Sequence, residues 1–294
     1  MMISTKGYLA GGLAVLLWIG GLGTAVASGF TRGLLFEISG AGPAPSYLFG
    51  TIHSDDPRVL TLPARVQTGF DLADGFVMEA VPDPEAVEKA RRVMLFGDGR
   101  RLSAILPMDL YRQVVEAAAS RGLIPAAIEP LKPWALVTFL SAPPSRSGEF
   151  LDLMLYRTAQ EQGKPVAGLE TLSEQMAILD GLTETEQIAL LRETLATIGE
   201  LSEVQTRLVA AYVRRDIDSL TQLNAMYRRW SSPELAARVQ ELAIDERNAR
   251  MAERLRPLLD QGGRFIAIGA LHLPGPKGVL QRLMDAGLVV RMLY

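Results

Sequence analysis

Two short apolar runs, Ser46 to Ile52 and Arg264 to Ala270, lie near opposite ends of the chain. Each runs into a histidine through the same pattern. The first is Gly50-Thr51-Ile52-His53 and the second Gly269-Ala270-Leu271-His272. Apolar runs of this length read as buried strands. Similar runs occur at Gly33 to Ile38, Gly75 to Ala80, Pro165 to Glu170 and Leu288 to Leu293. Between them lie helical patterns at Pro84 to Leu95, Asp109 to Arg121 and Phe150 to Gln162. A mainly helical stretch follows from Ser173 to about Asp260, with breaks near Gly181, Gly199 and Ser231-Ser232-Pro233. Pro125, Pro130, Pro133 and Pro143-Pro144-Ser145 read as a loop-rich middle. Strands at both ends around helices predict an α/β fold: a central sheet with flanking helices and a helical insertion.

The N-terminus carries a separate signal. Lys6 precedes an uncharged run from Gly7 to Phe30 that includes the small residues Ala25-Val26-Ala27. This is the pattern of a signal peptide over residues 1–27, leaving 28–294 as one exported domain. The competing reading is an uncleaved anchor, since the run approaches the ~20 residues that span a bilayer. Membrane contact is then expected only through this segment, and the location periplasmic or extracellular.

Composition excludes several classes. The chain has no cysteine, so thiol nucleophiles and thiolate metal sites are absent. A net charge of -3 lacks the basic excess of a nucleic-acid binder. There is no Gly-x-Ser-x-Gly elbow and no His-Glu-x-x-His helix. Pro274 to Gly278 is glycine-rich but lacks the spacing of a phosphate loop.

The chain's two histidines thus sit at strand ends, where α/β folds place ligand-binding groups. Imidazole serves as a divalent metal ligand or as a proton carrier near neutral pH. Metal binding needs further donors. Glu79 lies within an apolar strand, and burying an unpaired carboxylate is costly. It reads either as a ligand or as the partner of an arginine. Glu170 ends its strand in the same way. Arg247 and Asn248 fall in a charged helix, where their pattern reads as a solvated face.

These residues resemble the TraB/GumN family, which includes the TIKI proteases. The resemblance runs from YLFGTIHSDD through FVME, Lys132-Pro133-Trp134 and LDLMLYRTAQEQGKPVAGLETLSEQ to Arg247-Asn248 and FIAIGALHLPGPKG. It implies a fold of the erythromycin esterase and ChaN group. It also implies a site of His53, Glu79 and His272, with Glu170, Gln175, Arg247 and Asn248 as supporting polar residues. The expected activity is metal-dependent hydrolysis of a peptide bond, with His53, Glu79 and His272 holding Mn, Co, Zn or Fe. In that reading Glu170 accepts a proton and Arg247 steadies an oxyanion. The alternatives are a metal-free hydrolase with a histidine base, and a non-catalytic exported protein that binds a peptide or polysaccharide. The least motif-like region, Gln187 to Glu241, is expected to set the substrate.

Overall fold

The computed structural model describes residues 29–142, 148–227 and 232–294. The expected export segment, Pro143-Pro144-Ser145 and Ser231 lie outside the described residues. Six strands form one sheet: β1 (Leu35–Ser39), β2 (Ser46–Thr51), β3 (Gly75–Ala80), β4 (Val166–Glu170), β5 (Arg264–Gly269) and β6 (Val289–Met292). Their order across the sheet is β4-β3-β5-β2-β1-β6. The four strands β4, β3, β5 and β2 run parallel, and β1 and β6 close the sheet antiparallel. β3 is buried along its whole length, and β5 is buried beyond Arg264. Helices cover both faces of such a parallel centre, which is why these strands are apolar runs and not alternating ones. β6, at the rim, is largely exposed. Its register against β1 is fixed in part by Arg291 opposite Glu37, paired at 2.9 Å.

The first strand begins at Leu35, two residues after the expected start. Gly33 has φ of +100°, a left-handed conformation that cannot continue a strand and that glycine tolerates. The proline-rich middle also departs from expectation. Pro133–Ser141 is a helix buried over nearly its whole length, with Pro133 in its first turn. Proline suits that position because the first helical N–H groups have no partner within the helix. Trp134 Nε1 and Lys132 Nζ both donate to Asp180 Oδ1, at 2.8 and 2.6 Å, which fixes this helix to Leu172–Asp180.

Two apolar cores result. One surrounds the sheet, with Phe36, Phe70, Phe76 and Phe265 at its centre. The other gathers Leu110, Trp134, Leu190 and Leu235 from helices that follow β3 and β4. Ala80, at the end of β3, belongs to this second core. The expected helical insertion is therefore a helical layer adjoining the C-terminal edge of the sheet. Among the described residues, no helix is long and apolar enough to cross a membrane.

Candidate active site

The parallel register brings the predicted residues to that edge. Thr51 of β2 pairs with Gly269 of β5, so the two Gly-x-x-His segments leave the sheet side by side. Ala80 of β3 pairs with Glu170 of β4, which puts Glu79 and Glu170 at neighbouring strand ends. Gly50 permits the close packing. A Cβ there would lie 2.6 Å from Leu273 Cδ1 and 3.2 Å from Ala270 Cα.

Arg247 sits at the centre of this edge with 0% exposure. It lies in the Glu246–Gln261 helix, directly after a π-turn at Glu241–Asp245. Its Nη2 donates to Glu79 Oε2 at 2.6 Å and to Glu170 Oε2 at 2.7 Å. Its Nε donates to Glu170 Oε2 at 2.9 Å. Arg250 holds the other Glu170 oxygen, Oε1, through Nε at 3.1 Å and Nη2 at 2.7 Å. Gln175 Nε2 donates to Glu79 Oε2 at 3.2 Å and approaches Glu170 Oε2 at 3.4 Å. Two guanidinium groups thus face two carboxylates, and the charges balance. Burial alone would raise the Glu79 carboxyl. Arg247 and the Gly269 N–H, which donates to Oε1 at 2.8 Å, outweigh burial and hold it below the usual carboxylate range. Burial alone would lower the Arg247 guanidinium, and Glu79 and Glu170 reverse that and raise it.

His272 completes the cluster, also with 0% exposure. Its Nδ1 lies 2.7 Å from Asn248 Oδ1, an acceptor, while Asn248 Nδ2 donates to the Lys277 carbonyl at 3.1 Å. That assigns the proton to Nδ1. The bare Nε2 then accepts from Arg247 Nη1 at 3.2 Å. Burial and the adjacent guanidinium push the imidazole down to about 4, so it is neutral at physiological pH.

His53 belongs to a different pair. Its Nε2 lies 3.2 Å from Asp152 Oδ2, and both side chains are 12% exposed. Asp152 Oδ1 accepts from the Thr51 hydroxyl at 2.6 Å, whereas Oδ2 accepts no well-directed hydrogen bond. Burial alone would raise the Asp152 carboxyl. The His53 imidazole and the Thr51 hydroxyl overcome that and hold it below the ordinary range. Phe150 packs its ring 5.9 Å from the His53 ring. His53 faces a pocket of about 40 Å³ walled by Ile52, Leu208, Leu220 and Leu271.

Six of the predicted residues therefore form one network: Glu79, Glu170, Gln175, Arg247, Asn248 and His272. His53 stands beside it with Asp152. Arg247 and Asn248 do not occupy the solvated face that their pattern implied. They are buried, and each has partners there that make the burial tolerable. Arg247 reaches no surface from which it could meet a substrate oxyanion, and both oxygens of Glu170 are occupied by arginines.

The expected metal ligands were His53, Glu79 and His272, and two of them do not fit that role. Both oxygens of Glu79 accept hydrogen bonds, and the lone pair of His272 faces a cation. Among the described residues, no three His, Asp or Glu side chains are grouped to hold a metal ion. The remaining pair of candidate donor atoms is His53 Nε2 and Asp152 Oδ2, 3.2 Å apart. No motif of the sequence singles out Asp152, the carboxylate beside His53. The signal was its place on the buried stripe Asp152, Leu155 and Ala159 of its helix.

The comparisons define the class. The profile of the TraB/PrgY/gumN family matches residues 34–292. The chain belongs to this family, a mixed-sheet α/β protein with its polar cluster at the strand ends. Metalloprotease TIKI2 of Danio rerio is 27% identical over 83% of this chain and 57% of its own length. Metalloprotease TIKI1 of Homo sapiens is 25% identical over 83% of this chain and 59% of its own length. YbaP of Escherichia coli K12 is 23% identical over 84% of this chain and 90% of its own length. The match thus spans under two thirds of the TIKI proteins. No solved structure matches the chain.

Proposed function

We propose that this chain is an exported hydrolase that cleaves a peptide bond, with His53 and Asp152 as its working pair. The observation that carries the reading is their geometry: a histidine lining a pocket, 3.2 Å from a carboxylate that the Thr51 hydroxyl holds in place. The names of the TIKI relatives support hydrolysis of peptides. The Lys6 and Ala25-Val26-Ala27 pattern supports export.

In this reading His53 takes a proton from water as the water oxygen bonds to the carbonyl carbon. It returns that proton to the amine as the C–N bond breaks. Asp152 orients the imidazole and stabilises its charged form. The Arg247 cluster keeps the strand ends rigid and neutral beneath the pair. The relatives' name also implies a metal. His53 and Asp152 are the residues that would hold a divalent ion, with Glu79 nearby in the second rank. Such an ion supplies a Lewis acid and lowers the pKa of a bound water.

The test is metal content together with turnover of a broad peptide library, on wild type, His53→Ala and Asp152→Asn. The reading expects turnover that falls by about 10²–10⁴ in each variant while the fold survives. Turnover by metal-free protein supports the histidine-base form of the reading. Peptide binding without turnover by wild type would reduce the protein to a binding module.

A further inference from the structure

One polar side chain lining the pocket beside His53 makes no hydrogen bond among the described residues. Asn224, from the Ile217–Tyr227 helix, is 5% exposed and lines the pocket beside Leu208 and Leu220. Its carboxamide is left to meet the open space of the pocket. Thr51, also in the lining, has already committed its hydroxyl to Asp152. A carboxamide lining a mainly apolar pocket is costly to keep there unless something in the pocket meets it. A leucine would fill the same position without that cost.

A carboxamide offers an acceptor oxygen and an N–H donor side by side. That pattern complements a secondary amide, which offers the same two groups in return. The walls of Ile52, Leu208, Leu220 and Leu271 offer nothing to the hydroxyls of a sugar, which would be left unmet there. The pocket of about 40 Å³ has room for roughly three waters at about 10–15 Å³ each, the scale of a short aliphatic side chain.

We propose that Asn224 binds a backbone amide of a peptide substrate next to the scissile bond, while the apolar walls take a short aliphatic side chain such as alanine or valine. This rests on the reading of the chain as a peptide hydrolase. It assigns substrate selection to the 187–241 region, which supplies Leu208, Leu220 and Asn224.

The test compares wild type with Asn224→Leu, which keeps the branched shape and removes the polar group. The probes are N-acetyl-L-alanine N-methylamide, its methyl ester, and N-acetylglucosamine, each titrated by NMR. Wild type should bind the amide at least tenfold more tightly than the ester. Asn224→Leu should bind the two equally and melt at or above the wild-type temperature. An unchanged amide preference in Asn224→Leu would overturn the proposal, as would Asn224-dependent binding of N-acetylglucosamine in place of the amide. The peptide library separates this proposal from the one it rests on. Asn224-dependent amide binding without turnover supports the subsite and sinks the hydrolase. Turnover whose KM is unmoved by Asn224→Leu sinks the subsite and keeps the hydrolase. A tenfold rise in KM with little change in kcat supports both.

Discussion

Arg247 places Nη1 3.2 Å from His272 Nε2 while its Nη2 spans Glu79 and Glu170 at 2.6 and 2.7 Å. One guanidinium therefore meets three groups at once. It pairs with Glu170, helps keep the buried Glu79 carboxylate ionised, and makes protonation of the neighbouring imidazole unfavourable. A guanidinium suits this place because its donors form a rigid planar fork and it stays charged when desolvated. His272 is thereby held neutral, with its lone pair turned to Arg247.

The first prediction follows from the committed donors of Arg247. Arg247→Ala leaves Glu79 and Glu170 buried with their shared cation gone. Removing one partner of a buried charge group costs about 3–5 kcal/mol. Arg247→Lys should recover little, because one ammonium cannot reproduce the fork. Urea unfolding measures both. A variant Arg247→Ala of wild-type stability would mean that the cluster is not closed in solution.

The second concerns acid. The His272 imidazole is depressed from 6.5 to about 4 in the folded protein. Between those values the unfolded chain binds a proton that the folded chain excludes. Stability is then fully present above about pH 6.5 and falls as the pH drops towards 4, by about 3 kcal/mol in all. The lowered carboxyls of Glu79 and Asp152 act in the same direction, but only below the ordinary carboxylate range. His272→Gln should flatten the slope between pH 6.5 and 4 and leave the more acid limb. Unfolding free energy measured across pH 3.5–8 on both proteins decides this.

The strands and the pair of Gly-x-x-His ends were legible in the sequence because a parallel sheet covered on both faces demands continuous apolar runs. Glu79 was legible as a carboxylate that needed a partner, and the partner is the arginine of its structural alternative. The buried charges on helices were harder to see, for one shared reason. Met251, Leu255 and Leu259 form a stripe that lands on Arg247 and Asn248 when carried back one turn. Leu155 and Ala159 lead back to Asp152 in the same way. Position on the stripe set the burial, while the polarity of the residue pointed outward. For Arg247 and Asp152 the strand partners that make such burial tolerable lie 77 to 168 residues away, beyond the reach of any local pattern.

The third prediction concerns Thr51, whose hydroxyl donates to Asp152 Oδ1 at 2.6 Å. Thr51→Val keeps the shape and leaves that oxygen unmatched. The cost is about 1–3 kcal/mol of stability. The hydroxyl helps to hold the Asp152 carboxyl low, so the variant should raise it. If the ionised carboxylate orients His53, the acid limb of the pH–activity profile should move to higher pH in Thr51→Val. An unmoved acid limb would detach Asp152 from the reaction.

The last prediction separates Glu79 from Asp152 as a metal ligand. Glu79 has both oxygens occupied, by Arg247 and Gln175 on one and by the Gly269 N–H on the other. Asp152 has one oxygen without a hydrogen bond, facing the His53 nitrogen at 3.2 Å. A divalent ion that binds only the folded protein stabilises it, by about 2.7 kcal/mol at a hundredfold excess over its dissociation constant. Glu79→Gln keeps the shape but removes the charge that answers Arg247, so it should lower the melting temperature with or without metal. If His53 and Asp152 hold the ion, the upward shift given by Mn, Co or Zn should survive in Glu79→Gln. It should vanish in Asp152→Asn and in His53→Ala. Melting curves of the four proteins with chelator and with each metal measure this. A shift lost in Glu79→Gln but kept in Asp152→Asn would return the metal to Glu79, and the Arg247 cluster would then have to open to admit it. A shift kept in all four proteins would place the ion elsewhere on the chain and leave His53 and Asp152 as an acid–base pair.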